Sequence, residues 1–259
     1  MDFKGKVVFI TGATGGIGGA SAALFARQGA KLALVTSRQS NLEKLNCLAE
    51  SLGLPEEDYI NMAVDVRQEE EVKAGTQETV SRFGRIDIFV NNAGTEGKVA
   101  PIPSIRQEDL QWVLDVNIKG VLFGLKYVIP VMESQKSGSI INVSSVAGFI
   151  GSPGMAPYIA SKHAVNGITK TAALECADMG IRINAVCPGP VNNRMMRSIE
   201  AGASPEHPET VQSAFTEAIP LKRYAESEEV ANLILFLASD HAKYLTGNMY
   251  RIDGGMAAK

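Results

Sequence analysis

Short runs of β-branched and aliphatic residues alternate along the chain with longer stretches in which apolar positions recur every three or four residues. The first pattern predicts seven strands, near 6–10, 31–36, 59–64, 86–90, 139–143, 181–186 and 248–252. The second predicts helices near 16–28, 40–52, 68–82, 105–133, 156–178 and 226–238. This is the pattern of βαβ units and of a parallel sheet buried on both faces. Parallel neighbours need long crossovers, and each crossover here holds a helix. The expected architecture is therefore α/β: one domain over 1–259, built on a doubly wound parallel seven-stranded sheet in the order 3-2-1-4-5-6-7. Between the sixth strand and the last helix, Asn192, Asn193, Gly202, Pro205 and Pro208 break the regularity over about 190–220. A long connection at the carboxyl end of a parallel sheet is where a substrate-covering lid is expected.

Composition narrows the function classes. The chain has 259 residues, 45% hydrophobic and 20% charged, enough to bury one full core. A net charge of −3 leaves no surplus of cations for a phosphate backbone or an anionic membrane surface, so neither nucleic acid nor membrane is expected as a partner. Charged residues such as Lys126 and Glu133 interrupt every apolar stretch well short of the roughly 20 residues of a spanning helix. The first residues, Met1 to Lys6, run straight into the first strand without a signal-like segment, and a cytoplasmic protein is expected. Cys47, Cys176 and Cys187 are too scattered for a disulfide framework, and His163, His207 and His241 show no ligand spacing, so no metal is expected.

Three segments carry chemistry. Thr11-Gly12-Ala13-Thr14-Gly15-Gly16-Ile17-Gly18 follows the first strand and opens a helix. Such glycines let the backbone approach a pyrophosphate, whose charge meets free N–H groups at the helix N-terminus. The second strand ends in Val35-Thr36-Ser37-Arg38, where an acidic residue would hold the two ribose hydroxyls of NAD. Hydroxyls followed by a guanidinium suit a 2′-phosphate, which favours NADP over NAD; a solvated Arg38 is the alternative. Tyr158 and Lys162 stand at i and i+4 on one helix face, where an ammonium lowers a phenol pKa that is otherwise too high for base work. The apolar run Ile140 to Val143 ends in Ser144-Ser145, and a hydroxyl there can donate to a carbonyl oxygen that gathers negative charge.

With these motifs in hand, nearly the whole chain resembles the short-chain dehydrogenase/reductase family, whose members share a Rossmann sheet. The turn Gly12-x-x-x-Gly16-x-Gly18, with Thr14 and Ile17, is similar to the family's coenzyme signature, and Asp65-Val66 to its adenine-contacting pair. Asn91-Asn92-Ala93-Gly94 resembles the segment that stabilises the central sheet and borders the cofactor. Asn117, Ser145, Tyr158 and Lys162 follow in family order and spacing. The resemblance implies Tyr158 as general acid/base and Lys162 as the group that holds the nicotinamide ribose and depresses the Tyr158 pKa. It implies Ser145 as the group that polarises the substrate oxygen, with Ser144 as runner-up, and Asn117 as holder of a water that links Lys162 to bulk. Pro188, Gly189 and Val191 resemble the segment that receives the nicotinamide carboxamide. Two departures stand out: Asn193 replaces a frequent threonine, and Arg38 lies one residue later than the arginine usual in NADP-preferring members.

The resemblance implies an oxidoreductase that interconverts a secondary alcohol and a ketone by hydride transfer with NADP or NAD, as a homotetramer. Segments from Thr95 to Pro103, Val146 to Met155 and Asn192 to about Phe215 should line its substrate cleft. Val146, Phe149, Ile150, Met155, Met195 and Met196 make that lining apolar, which suits a neutral hydrophobic or cyclic carbonyl compound, while Arg194 and Arg197 pull the other way. Asn91 to Lys98 also looks like a segment of bacterial members acting on cyclic ketones. Trp112 either pairs subunits or packs internally. The alternatives are a 3-oxoacyl-thioester reductase, which would need basic residues such as Arg194, Arg197 or Lys222 at the cleft mouth, and a non-catalytic nicotinamide-binding sensor.

Overall fold

The computed structural model describes residues 1–258. The apolar runs form β1 (Val7–Thr11), β2 (Lys31–Thr36), β3 (Tyr59–Ala63), β4 (Ile88–Asn91), β5 (Gly138–Val143), β6 (Ile181–Pro188) and β7 (Met249–Ile252). They make one sheet in the order β3-β2-β1-β4-β5-β6-β7, every neighbouring pair parallel, as the pattern led us to expect. Alternation along β1 decides the layers. Val8 and Ile10 join Leu32, Leu34 and Ile141 on one face, under Phe25 of α1 (Gly16–Arg27) and Ile234 of α9 (Ser227–Ala238). Phe9 joins Val35, Phe89 and Ile140 on the other, under Val72 of α3 (Glu69–Phe83), Val128 of α5 (Gly120–Gln135) and Val165 of α6 (Ala156–Glu175). Each fully buried side chain of this size contributes about 1.5–3 kcal/mol, so the two faces together drive the sandwich. Strand order reverses between β1 and β4, and a crevice opens at their carboxyl ends.

Two helical expectations are corrected. The single helix expected over 105–133 is α4 (Gln107–Leu114), a wide π-type turn at Asp115–Lys119, and then α5. One extra residue per turn is accommodated there, a device that recurs at functional sites because it re-aims a side chain. The irregular stretch over 190–220 contains α7 (Arg194–Ala203) and α8 (Pro208–Ala218). The residues read as breakers punctuate helix ends: the Asn193 side chain accepts from the Met196 N–H as an N-cap, and Pro208 occupies the first turn of α8. The remaining crossover helix is α2 (Leu42–Ser51). No helix among the described residues is long and apolar enough to cross a membrane.

Candidate active site

The carboxyl ends of β1, β4, β5 and β6 open onto a cleft of about 780 Å³ that runs from the glycine turn to α7. At one end, Gly12 adopts φ +67°, a left-handed conformation that favours glycine, and turns the chain so that α1 begins with its N-terminus toward the cleft. That terminus has no side-chain cap and no acidic residue in its first turn. Its unpaired N–H groups and helix dipole therefore fit an anionic diphosphate. Gly12, Thr14, Gly16 and Ile17 line the cleft here. Gly18 does not; a Cβ there would stand 2.4 Å from the Gly12 oxygen and 2.9 Å from Ala13 Cα, so this glycine serves close packing of α1 on the turn. Asn92 locks the same turn to β4: its side chain donates to the carbonyls of Thr11 and Gly12 at 2.8 and 3.1 Å. The Thr11 hydroxyl in return accepts from the N–H groups of Asn92 and Ala93.

Ser37 and Arg38 line the adenosine end of the cleft as expected, and the structure adds Asn41 and Lys44, which sequence reasoning missed. Lys44 stands in the first turn of α2, on the same crossover that carries Arg38. Asp65 and Val66 do not reach the lining. The Asp65 carboxylate is held by Arg67, whose Nε donates to both oxygens at 2.9 and 3.0 Å. Burial alone would raise the Asp65 pKa, but the Arg67 bonds outweigh it and the group lies below its ordinary value. Val66 is buried under α5, where a Cβ on Gly120 would press within 2.8 Å of it. Trp112 does not pack internally: it is 40% exposed, with the Arg67 guanidinium 4.2 Å from its ring centroid.

At the other end stand Ser145, Tyr158 and Lys162, all buried. β5 delivers the two serines to different partners: the Ser144 hydroxyl donates to the Lys162 carbonyl at 3.2 Å, whereas the Ser145 hydroxyl donates to the Pro188 carbonyl at 3.4 Å and accepts from the Ala147 N–H at 3.1 Å. The structure thus separates the runner-up from Ser145. Burial pushes the Tyr158 phenol up to about 12, with the Ser145 hydroxyl pulling it down and the Glu96 carboxylate adding to the rise. Lys162 is pushed down to about 8 by the same burial, its Nζ donating to the Val143 carbonyl at 2.9 Å. The expectation that Lys162 depresses the Tyr158 pKa is therefore corrected. The ammonium lies 5.6 Å from the ring centroid and turns to a backbone oxygen, and desolvation dominates.

Asn117, set by the π-type turn, lies beside the cleft rather than in its lining. Its Nδ2 donates to the Thr95 carbonyl at 2.9 Å and to the Ser161 hydroxyl at 3.0 Å, and its Oδ1 accepts from the Thr95 N–H at 2.9 Å. Its amide thus clamps the loop after β4 to α6. Gly94 lies between it and Lys162: a Cβ there would touch Asn117 Oδ1 at 3.5 Å and Lys162 Nζ at 3.6 Å. Ala93, Gly94, Pro188, Gly189 and Val191 complete the lining that the sequence pointed to. Gly189 is small because Asp253 crosses it, 2.9 Å from where a Cβ would be.

Val146, Ile150, Met155, Met195 and Met196 line the substrate end as expected, with Ile199 and Phe215 from the same expected segments, and are joined by Met256, which was not anticipated. Phe149 is the exception; it is turned outward, with the Arg251 guanidinium 5.7 Å from its ring.

This arrangement on this topology defines a class, the oxidoreductases that hold a dinucleotide across the carboxyl edge of a doubly wound sheet. The model of the family described as enoyl-(acyl carrier protein) reductase matches residues 12–257. Levodione reductase of Leifsonia aquatica is 38% identical over 99% of this chain and 96% of its own length. The 3-oxoacyl-[acyl-carrier-protein] reductase FabG of Thermotoga maritima is 41% identical over 99% of both chains. Among solved structures, NAD+-bound xylitol dehydrogenase superposes with a TM-score of 0.91 at 34% identity, covering 98% of this chain and 100% of the other. The chain belongs to the short-chain dehydrogenase/reductase family. It is an NAD(P)-dependent oxidoreductase that acts on CH–OH groups and their carbonyl counterparts.

Proposed function

We propose that the enzyme interconverts a ketone and a secondary alcohol on a neutral, hydrophobic or cyclic compound, with NADP(H) preferred over NAD(H). The observation that carries this reading is the convergence of the buried Ser145, Tyr158 and Lys162 side chains in the lining of one pocket whose other end is apolar. A phenol held neutral can donate its proton to a carbonyl oxygen. A bound nicotinamide supplies or accepts the hydride. Ser145 donates a hydrogen bond to the substrate oxygen as negative charge develops, and Tyr158 hands it the proton. Lys162, anchored on the Val143 carbonyl, holds the nicotinamide ribose. Asn117 keeps the loop and α6 in register for this and holds the water that resupplies the proton.

The diphosphate rests on the α1 N-terminus through Gly12, Thr14, Gly16 and Ile17, with Gly18 packing the helix against the turn. Ser37, Arg38 and Lys44 receive the 2′-phosphate, and Asn92, Ala93, Gly94, Pro188, Gly189 and Val191 receive the nicotinamide half. The cations Arg38 and Lys44, without an ion-pair partner among the described residues, support the NADP preference. α7 and α8 act as the substrate-covering lid. The 3-oxoacyl-thioester alternative has a namesake among the relatives, yet Arg194, Arg197 and Lys222 are each paired with a glutamate rather than free to dock an acidic carrier. A cytoplasmic homotetramer completes the reading, supported by the partly exposed Leu110, Trp112 and Leu122 along α4 and α5.

The test is to titrate NADPH and NADH into the protein by fluorescence and then follow nicotinamide absorbance with cyclic, aromatic and acyl-thioester ketones. Wild type should turn over a cyclic ketone, and Tyr158→Phe should lose about 10²- to 10⁴-fold while still binding cofactor. Unchanged turnover in Tyr158→Phe, or no nicotinamide binding at all, defeats the reading.

A further inference from the structure

The substrate end of the cleft carries a charge that the hydride chemistry leaves unused. Arg194 lines it from the first turn of α7, its side chain 76% exposed. An arginine at the rim of an otherwise apolar pocket would ordinarily draw in a carboxylate or a phosphate, because its planar fork of donors matches those oxygens. Here the fork is already engaged: Nη1 donates to Glu96 Oε1 at 3.1 Å and Nη2 to Glu96 Oε2 at 3.5 Å.

Glu96 differs in kind from a surface partner. Its side chain is only 8% exposed, and its charge reaches the Tyr158 phenol. Nor can it readily withdraw. The preceding residue, Thr95, is held at both its N–H and its carbonyl by the Asn117 amide. The following residue, Gly97, takes φ +72°, and a Cβ there would come within 2.5 Å of Val113 Cγ2. A carboxylate fixed in so dry a place is costly unless a cation answers it, and among the described residues Arg194 is its ion-pair partner. The second arginine of α7 is handled in the same way. Arg197 meets the buried Glu200 at 3.2 Å and is not part of the lining. α7 thus brings one guanidinium group, that of Arg194, to the substrate end, and Glu96 cancels its charge there.

We infer that Glu96 is a specificity-determining residue, neutralising Arg194 at the rim of the cleft so that the site accepts neutral carbonyl compounds and turns away those bearing a carboxylate or phosphate. This inference rests on the carbonyl-reductase reading above and names its substrate class. Exchange of Glu96 for an uncharged residue should release the Arg194 charge into the cleft, and exchange of Arg194 should leave an unanswered carboxylate there. The two changes push selectivity in opposite senses, which loss of a merely structural contact does not do.

The experiment compares wild type, Glu96→Gln and Arg194→Gln on three probes: a cyclohexanone with a carboxylate opposite the ketone, its methyl ester, and the corresponding amine. Each is read as kcat/KM with reduced cofactor and, independently of turnover, as calorimetric affinity for the enzyme with oxidised cofactor bound. Glu96→Gln should raise the carboxylate-over-ester ratio about 10- to 100-fold in both readouts, the worth of one charge-assisted hydrogen bond. Arg194→Gln should instead raise the amine-over-ester ratio; because Arg194 is largely exposed, this variant tests the inference even if Glu96→Gln does not fold. A parallel loss on all three probes, or ratios that stay at the wild-type values, overturns the assignment. Altered affinities without turnover of any probe by wild type would uphold charge selection and sink the carbonyl reading alone.

Discussion

Lys162→Met offers a direct measure of what burial costs this site. Lys162 is buried, and its pKa falls from 10.5 to about 8 chiefly through desolvation. At ~1.4 kcal/mol per pH unit, that gap is a native-state preference for the neutral amine of about 3 kcal/mol. In the unfolded chain the amine keeps its proton up to about pH 10.5, whereas the native protein sheds it near 8. Between those values the unfolded state binds more protons, so stability rises with pH. Below about pH 8 both states are protonated and the native state carries the full penalty. Methionine has similar length and no charge, so the variant should lack this dependence. Loss of the 2.9 Å bond to the Val143 carbonyl adds an offset that does not vary with pH. Urea unfolding without added cofactor, at fixed protein concentration, gives the stability difference between the two chains. From about pH 7 to about pH 9.5 the wild type should gain roughly 2 kcal/mol on Lys162→Met. The Cys187 thiol, which feels the Lys162 charge and titrates from 9.0 in the unfolded chain, is removed from the comparison by placing both chains in a Cys187→Ala background. A difference that is flat across this range, or that moves against the wild type, refutes the argument that Lys162 sits desolvated in the native cleft.

Three further outcomes follow from the same geometry. Tyrosinate absorbance of wild type and Tyr158→Phe should coincide up to about pH 10 and diverge only above it, since burial holds this phenol near 12; a one-tyrosine difference at or below 10 contradicts the burial. Gly18→Ala should lose about 1–3 kcal/mol in urea unfolding, because the new methyl meets the Gly12 carbonyl at 2.4 Å; unchanged stability would mean that the turn is looser than described. Arg38→Ala and Lys44→Ala should each weaken NADPH binding by about tenfold or more and leave NADH nearly unchanged, as fluorescence titration reads; equal losses on both cofactors would remove these residues from the 2′-phosphate.

The sheet was legible in the sequence because its strands are covered on both faces, so β1 and β2 read as short apolar runs, set apart from buried helix by their length and β-branched residues. The reactive residues were legible because Tyr158 and Lys162 lie one helical turn apart and Ser145 ends a strand. What escaped depended on partners far along the chain. The break at Asn117 falls inside an otherwise continuous helical period and is secured by Thr95 and Ser161, 22 and 44 residues away. Met256 reaches the cleft from the C-terminal segment, and Lys44 from a helix whose buried face, Leu45 and Ala49, points elsewhere. The lid helices were hidden differently: Asn193 and Pro208 are both loop formers and helix starters, and the apolar spacing of Met195, Met196 and Ile199 was the signal that α7 exists. The hold of Arg67 on the Asp65 carboxylate, two residues away, was likewise outside what the motif alone discloses.

The wide turn at Asp115–Lys119 behaves as a tolerated one-residue insertion in what would otherwise be a single rod. Deleting one residue from it, Val116 for instance, would let α4 and α5 fuse into an uninterrupted α-helix with better local hydrogen bonding. The lost residue corresponds to about 100° of helical rotation, so either α4 or α5 would have to turn its apolar stripe away from its present neighbours. The reading frame of this helix is thereby set by two clients at once, the core beneath α5 and the Thr95 loop at the cleft, and no chain of one fewer residue serves both.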